Sequence, residues 1–232
     1  MFKIETHLHT GLSSSCGKLS TEEILQGYAQ AGYDGIVVTD HFSRNEFLYR
    51  GVPNGNVEEK WNMHLEGYLA LLAAAPQYGI RVYRAAELAF DEALNDYLVY
   101  GCPDELMMDM DRVFAMGIAD FSAECRRVGG VIIQAHPYRR PSTPAIASYL
   151  DGIETYNAHP RHDSRNWLAE EYAQDHKYLI RFSGSDCHQL PDIGRSGILV
   201  EKLPANEIEL ADLIKTEAFS CIIPSEEMNY SA

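Results

Sequence analysis

The stretch "FKIETHLHTG" places His7 and His9 either side of a single leucine, just past a short apolar run. On an extended backbone, residues two apart point to one face, so both imidazoles converge on the same spot. A hydrogen-bonded pair at a strand end would explain them, and so would a metal site, since imidazole is the commonest metal ligand. More candidates follow later apolar runs: Asp40 and His41 after "GIVVT", Glu87 after "RVYRAA", His136 after "GVIIQA", and Asp186 and His188 after "LIRFSGS". Taken singly, Asp40 could cap a turn and His136, before Pro137, could be an ordinary loop histidine. Their joint placement after five separate runs favours a polynuclear metal centre. Imidazole and carboxylate without paired thiolates suit zinc, manganese or iron. More candidates than one ion can use imply more than one ion. Two ions a few ångströms apart suit phosphoester cleavage, because they generate hydroxide and neutralise phosphoryl oxygens.

The elements that must position these groups alternate. "FKIET" reads as a strand and "STEEILQGYAQAG" as a helix, with Ser20 as N-cap, Glu23 completing a capping box and Gly32 as the stop. "GIVVTD" is a buried strand, and the pattern predicts a helix over 58–76 ended by Pro76. "IRVYRAAEL" and "DYLVYG" are apolar runs, a helix ends at Gly129, and "GVIIQAHP" returns to strand. "DGIETYN", a helix in "SRNWLAEEYAQDH" and "YLIRFSGSD" continue the alternation, followed by "SGILVE", the helix "NEIELADLIKTE" and "FSCIIP". Strands alternating with helices indicate parallel β structure of the α/β class. About seven such units fit a (β/α) barrel, whose chemistry sits at the C-terminal ends of its strands.

The 232 residues are expected to form one domain spanning 1–232. No apolar run is long enough to span a bilayer, and no signal-peptide pattern opens the chain, so the cytoplasm is the expected compartment. Five scattered cysteines, with no CxxC pair, suggest neither a disulfide framework nor a thiolate zinc knuckle. A formal net charge of −15 argues against grip on a long nucleic acid, which needs basic patches, but leaves a small anionic substrate open.

In this order, "HLH", "TDH", "AEL", "AHP" and "SGSDCH" resemble the successive metal-binding motifs of the PHP (polymerase and histidinol phosphatase) superfamily, from His7 to His188. The resemblance implies a distorted (β/α)7 TIM-like barrel holding two or three divalent ions (zinc, manganese or iron) at its strand C-termini. It places ligands on His7, His9, His41, Glu87, His136, Asp186 and His188, with Glu87 bridging and Asp40 orienting a ligand histidine. Two positions depart from the pattern. Cys16 in "TGLSSSCGK" falls where trinuclear relatives carry aspartate or histidine, and is either a ligand or an inert small residue. Asp96 in "NDYLVYG" falls where many relatives carry histidine, and a carboxylate can serve there. Two ions are therefore the expectation, with a third depending on these substitutions.

Phosphate needs cationic donors, and arginine's planar fork suits it. Arg161 and Arg195 follow strands after which similar phosphatases place phosphate-binding arginines, and Arg139 is a further candidate. His159 and His162 could contact substrate or protonate a leaving group, or be solvated loop residues. His64 reads as structural, and His176 as a complement to a helix dipole. The expected activity is hydrolysis of a small phosphate monoester, such as histidinol phosphate or a nucleoside monophosphate, with no membrane partner. A nuclease acting on short oligonucleotides and a non-catalytic metal-binding module are the rivals. Loops 42–60 and 102–112 carry no motif that translates into a substrate, and oligomeric state is not legible.

Overall fold

A computed structural model describes residues 1–224. Seven strands form the barrel wall: β1 (Phe2–Leu8), β2 (Gly35–Val38), β4 (Arg81–Ala89), β5 (Asp96–Tyr100), β6 (Val131–Gln134), β7 (Gly152–Asn157) and β8 (Ile180–Gly184). The short β3 (His41–Phe42) pairs with β4 and sets His41 opposite Glu87. The ring closes where Leu8 bridges Cys187: His9 N donates to Cys187 O (2.9 Å) and Cys187 N to His7 O (3.0 Å). Lower down, β9 (Gly197–Val200) pairs antiparallel with β1, and β10 (Phe219–Ile222) with β9.

The expected α/β barrel is thus present, and one strand departs from the expected parallel order. β5 runs antiparallel to both neighbours. Residues 90–95 between β4 and β5 are too few for a parallel crossover, which takes about a dozen or more, so the chain turns straight back. The reversal puts the first residue of β5, Asp96, at the end of the barrel where the other strands finish.

The helices begin where side chains cap them. Ser20 and Glu23 form a reciprocal capping box on α1 (Thr21–Gln30), and Gly32 follows the cap with φ 73°. The loop segment at 42–60 contains α2 (Arg44–Tyr49), capped by Ser43. Asn56 and Glu59 box the start of α3 (Val57–Ala74), and Pro76 opens a 3₁₀ turn (Ala75–Tyr78) instead of ending the helix itself. After α4 (Asp104–Met107), α5 (Met110–Arg127) is broken at Gly117, whose φ of 71° only glycine adopts freely. The periodicity runs through this break, so the sequence reads as one helix. Beyond α6 (Asn166–Asp175), α7 (Glu207–Lys215) packs Leu210, Ala211 and Ile214 into a cluster with Ile4, Leu98, Tyr100, Ile133 and Phe182 from the strands. Apolar packing therefore fills one end of the barrel, and the polar groups collect at the other. No helix among the described residues is long and apolar enough to cross a membrane.

Candidate metal centre

His7 and His9 both turn inward from the end of β1, with their Nε2 atoms 3.2 Å apart. Glu154 of β7 accepts a hydrogen bond from His7 Nδ1 (3.0 Å), and a carboxylate at neutral pH only accepts, so Nε2 is left facing the centre. Glu87 lies among four histidines and divides its oxygens between them. Oε1 is 3.0 Å from His136 Nε2 and 3.3 Å from His7 Nε2; Oε2 is 3.0 Å from His41 Nδ1 and 3.2 Å from His9 Nε2. Asp186 presents Oδ1 to His7 (3.5 Å) and His9 (3.4 Å), while Arg139 holds Oδ2 at 2.6 Å. His188 donates Nδ1–H to Asp186 O (2.8 Å). Asp96 reaches within 3.9 Å of His136 Nε2.

The seven histidines and carboxylates that the resemblance implied therefore come together, and Asp96 and Cys16 join them. Ligand-type atoms lie within 4.8 Å of one another in the sets His7–His9–Asp186, His7–Glu87–His136, His41–Glu87–Asp96 and His9–Cys16–His41–His188. The sets share members, as a cluster of ions requires. Glu87 Oε2 is buried and makes no hydrogen bond among the described residues, although two imidazole nitrogens stand beside it. A buried carboxylate oxygen left unpaired costs stability, and a cation between it and the histidines would satisfy all of them. The donor set fits divalent ions.

Electrostatics point the same way. Burial alone would raise the Glu87 carboxyl, but His7, His41 and His136 hold it well below its ordinary range. Burial likewise opposes ionisation of Asp186, and His7, His9, Arg139 and His188 outweigh it. His136 (φ 27°) and Asp186 (φ 50°) both sit in the left-handed region, a strain of about 1–3 kcal/mol each that clusters at functional sites.

Asp40 touches no imidazole directly. It accepts from Thr10 N (2.6 Å), Thr10 Oγ1 (2.7 Å) and Ser14 Oγ (2.7 Å), and Ser14 Oγ accepts from His41 N (2.9 Å) and lies 3.4 Å from His9 Nδ1. Its hold on the histidines runs through the 10–17 loop. Arg161 gives both terminal nitrogens to Asp192 (2.6 Å each) and one also to His159 Nε2 (3.0 Å). Two members of the set His159–His188–Asp192, His159 and Asp192, thus already hold a cation, the guanidinium itself. Asp192 in turn accepts from His188 N (2.9 Å) and Gln189 N (3.0 Å). Arg139 is committed to Asp186 and Asn157. Arg195, exposed, makes one hydrogen bond among the described residues, Nε to Ala158 O (3.0 Å).

Burial first, aided by the charges of Arg139 and Arg161, lowers His159 to about 4 and leaves it a poor proton donor at neutral pH; the exposed His162 lies tilted against it. His64 is buried against Phe42 and Trp61, and His176 donates to Tyr172 O at the end of α6. The sequence reading passed over Glu5 and Glu154. Glu5 accepts from Thr6 N, His7 N, Ser185 N and Tyr28 Oη, tying β1 to the segment that carries Asp186. Both lie in "IET" within apolar strands, and a carboxylate in a buried strand was the available signal.

The PHP domain model matches residues 5–194, and the chain belongs to that family. No curated protein sequence matches it. Among solved structures, PsfC from Pseudomonas syringae PB-5123 superposes with a TM-score of 0.70 at 16% identity, over 97% of this chain and 92% of that one. A two-domain Bacteroides vulgatus ATCC 8482 protein, described as containing a PHP-like metal-dependent phosphoesterase, gives 0.63 at 16% identity over 96% of this chain and 64% of that chain. A Bifidobacterium adolescentis ATCC 15703 protein assigned as a metal-dependent phosphoesterase gives 0.53 at 15% identity, over 92% and 96%. These likenesses establish the fold.

Proposed function

We propose that this chain, a single unit over residues 1–232 of which 225–232 lie outside the described residues, is a hydrolase that cleaves a small phosphate monoester of the histidinol phosphate or nucleoside monophosphate kind, using two or three divalent ions. The observation that carries the reading is Glu87, buried, shared between four histidines and left with an unpaired oxygen. His7, His9, Glu87 and Asp186 would hold one ion, and Glu87, His136 and Asp96 a second. His41 and His188, with Cys16, would hold a third. Zinc, manganese or iron bound there supplies an activated water and neutralises charge on the phosphoryl oxygens.

The rest belongs to the chain. Glu154 and the carbonyl of Asp186 fix the faces that His7 and His188 present. Arg195, with a single carbonyl partner among the described residues, is the arginine placed to hold a phosphoryl oxygen, whereas Arg161 and Arg139 act by positioning His188 and Asp186. A net charge of −15 suits a small substrate better than a long nucleic acid, and the cytoplasm remains the proposed compartment.

The test is phosphate release from histidinol phosphate and nucleoside monophosphates with Mn²⁺ or Zn²⁺, beside chain cleavage of an oligonucleotide lacking a terminal phosphate. Monoester turnover that disappears in His9→Ala and Asp186→Ala supports the reading. Cleavage of the oligonucleotide alone, or wild-type turnover in either variant, overturns it.

A further inference from the structure

We propose that Cys16 gives this centre one sulphur-bearing position, shared with His41 and His188 beside His9, which takes zinc or a similarly soft divalent ion in preference to manganese or magnesium. The inference rests on the metal-centre reading above and concerns the one donor that departs from nitrogen and oxygen.

The loop that carries Cys16 is built to present it. Thr10 is held by Asp40 through both its amide and its hydroxyl. Ser13 Oγ donates to Met63 O (2.9 Å) and accepts from Gly67 N (2.8 Å), which fastens the loop to α3. Ser14 binds Asp40 and the His41 amide, and Ser15 donates through N (2.5 Å) and Oγ (2.8 Å) to the buried Glu46 of α2. Arg50 donates to the carbonyls of Gly11 and Leu12. Every serine in "LSSSCG" is thus spent on the loop's own position, and Cys16 Sγ is what remains to face the histidines, within the 4.8 Å set. Glu87 Oε2, buried without a hydrogen bond among the described residues and 3.0 Å from His41 Nδ1, is an independent sign that this side of the cluster is shaped for a cation.

Donor chemistry then selects the ion. Thiolate with imidazole favours zinc, whereas carboxylate-rich sets accept manganese and magnesium. Glu87 and Asp96, which face His136 Nε2 at 3.0 and 3.9 Å, offer two carboxylates and no sulphur and are of the second kind. One cluster therefore offers inequivalent positions. On binding, the thiol proton leaves for solvent and a metal–sulphur bond replaces the S–H bond, with no redox step.

Cobalt(II) titrated into the full-length metal-free protein reads this out without any activity assay. The expected result is a sulphur-to-cobalt charge-transfer band in the near ultraviolet that saturates at a single ion per chain. It should be lost in Cys16→Ser and retained in Cys221→Ser. Zinc, but not magnesium, should protect Cys16 from iodoacetamide, scored by mass spectrometry. An unchanged band in Cys16→Ser, or no band while elemental analysis finds ions bound, overturns the proposal and leaves the metal-centre reading standing. Absence of any bound ion overturns both.

Discussion

Glu154 accepts from His7 Nδ1 through one oxygen, and from His136 N and Asn157 Nδ2 through the other. Glutamine in its place has one accepting oxygen and one NH₂, so whichever way it turns, a donor faces a donor. Glu154→Gln should therefore leave the barrel folded and weaken metal binding by about 10–100-fold, the usual cost of losing a ligand's outer partner. Competition against a chelating dye would measure it, and unchanged affinity would refute the role. The arginines separate by the same logic. Arg195→Ala should raise KM several-fold with metal content intact, because among the described residues the guanidinium donates to a backbone carbonyl and to no metal-site side chain. Arg161→Ala should lower metal affinity in the absence of substrate, because Asp192, which fixes the His188 amide, loses its bidentate partner. A KM effect alone at Arg161 would return it to the substrate.

At the scale of elements, α3 is a wall on which the Cys16 loop is hung. A Cβ on Gly67 would run into Thr10 Oγ1 and come within 2.9 Å of Asp40 Oδ2. Gly→Ala in a helix interior ordinarily gains about 1 kcal/mol, but overpacking costs about 1–3 kcal/mol, so Gly67→Ala should lower Tm and loosen one ion. A higher Tm would show that the loop simply steps aside. His64, on the same helix, is pushed down to about 3 by burial first and Arg84 second, and its Nδ1 has no hydrogen-bond partner among the described residues. The unfolded chain takes up a proton below about 6.5 and the folded chain does not, so stability falls as pH drops from about 6.5 towards 3. Between pH 7 and 5 this group alone should cost about 2 kcal/mol, at 1.4 kcal/mol per pH unit once below 6.5. Unfolding free energies of wild type and His64→Phe from urea titrations should diverge by that amount between pH 7 and 5, and parallel pH profiles would contradict it. What sequence could reveal about these elements follows from range. Caps act over three residues, so Ser20–Glu23 was legible; the direction of β5 is not written in "DYLVY", only in the shortness of 90–95. The loop serines looked empty of chemistry because their partners, Asp40, Met63 and Gly67, lie across space. The strand-end histidines and acids were readable because a barrel gathers strand ends by topology alone.

The whole molecule closes at its narrowest pairing. Neighbouring barrel strands elsewhere share a ladder, but among the described residues β1 meets the chain that follows β8 at the single bridge Leu8–Cys187, with backbone hydrogen bonds between Cys187 and the two histidines. His7 and His9 stand on one side of that seam and Asp186 and His188 on the other, and the left-handed backbone at Asp186 adds strain beside it. Ions held between these side chains would join the two edges by side-chain bonds where backbone bonds are few. A ligand at 100 times its Kd adds about 2.7 kcal/mol to the folded state, and here that energy would fall on the seam. Chelation should thus act locally before it acts globally. Amide exchange at His9 and Cys187 should quicken on chelation by an order of magnitude or more, while the β4–β5 ladder, from Ala85–Tyr100 to Ala89–Asp96, stays protected. Tm should fall in the same samples and recover on adding zinc back. Exchange that quickens equally across seam and ladder would mean that the ions stabilise the barrel as one unit, and exchange that does not change would mean that the seam holds without them.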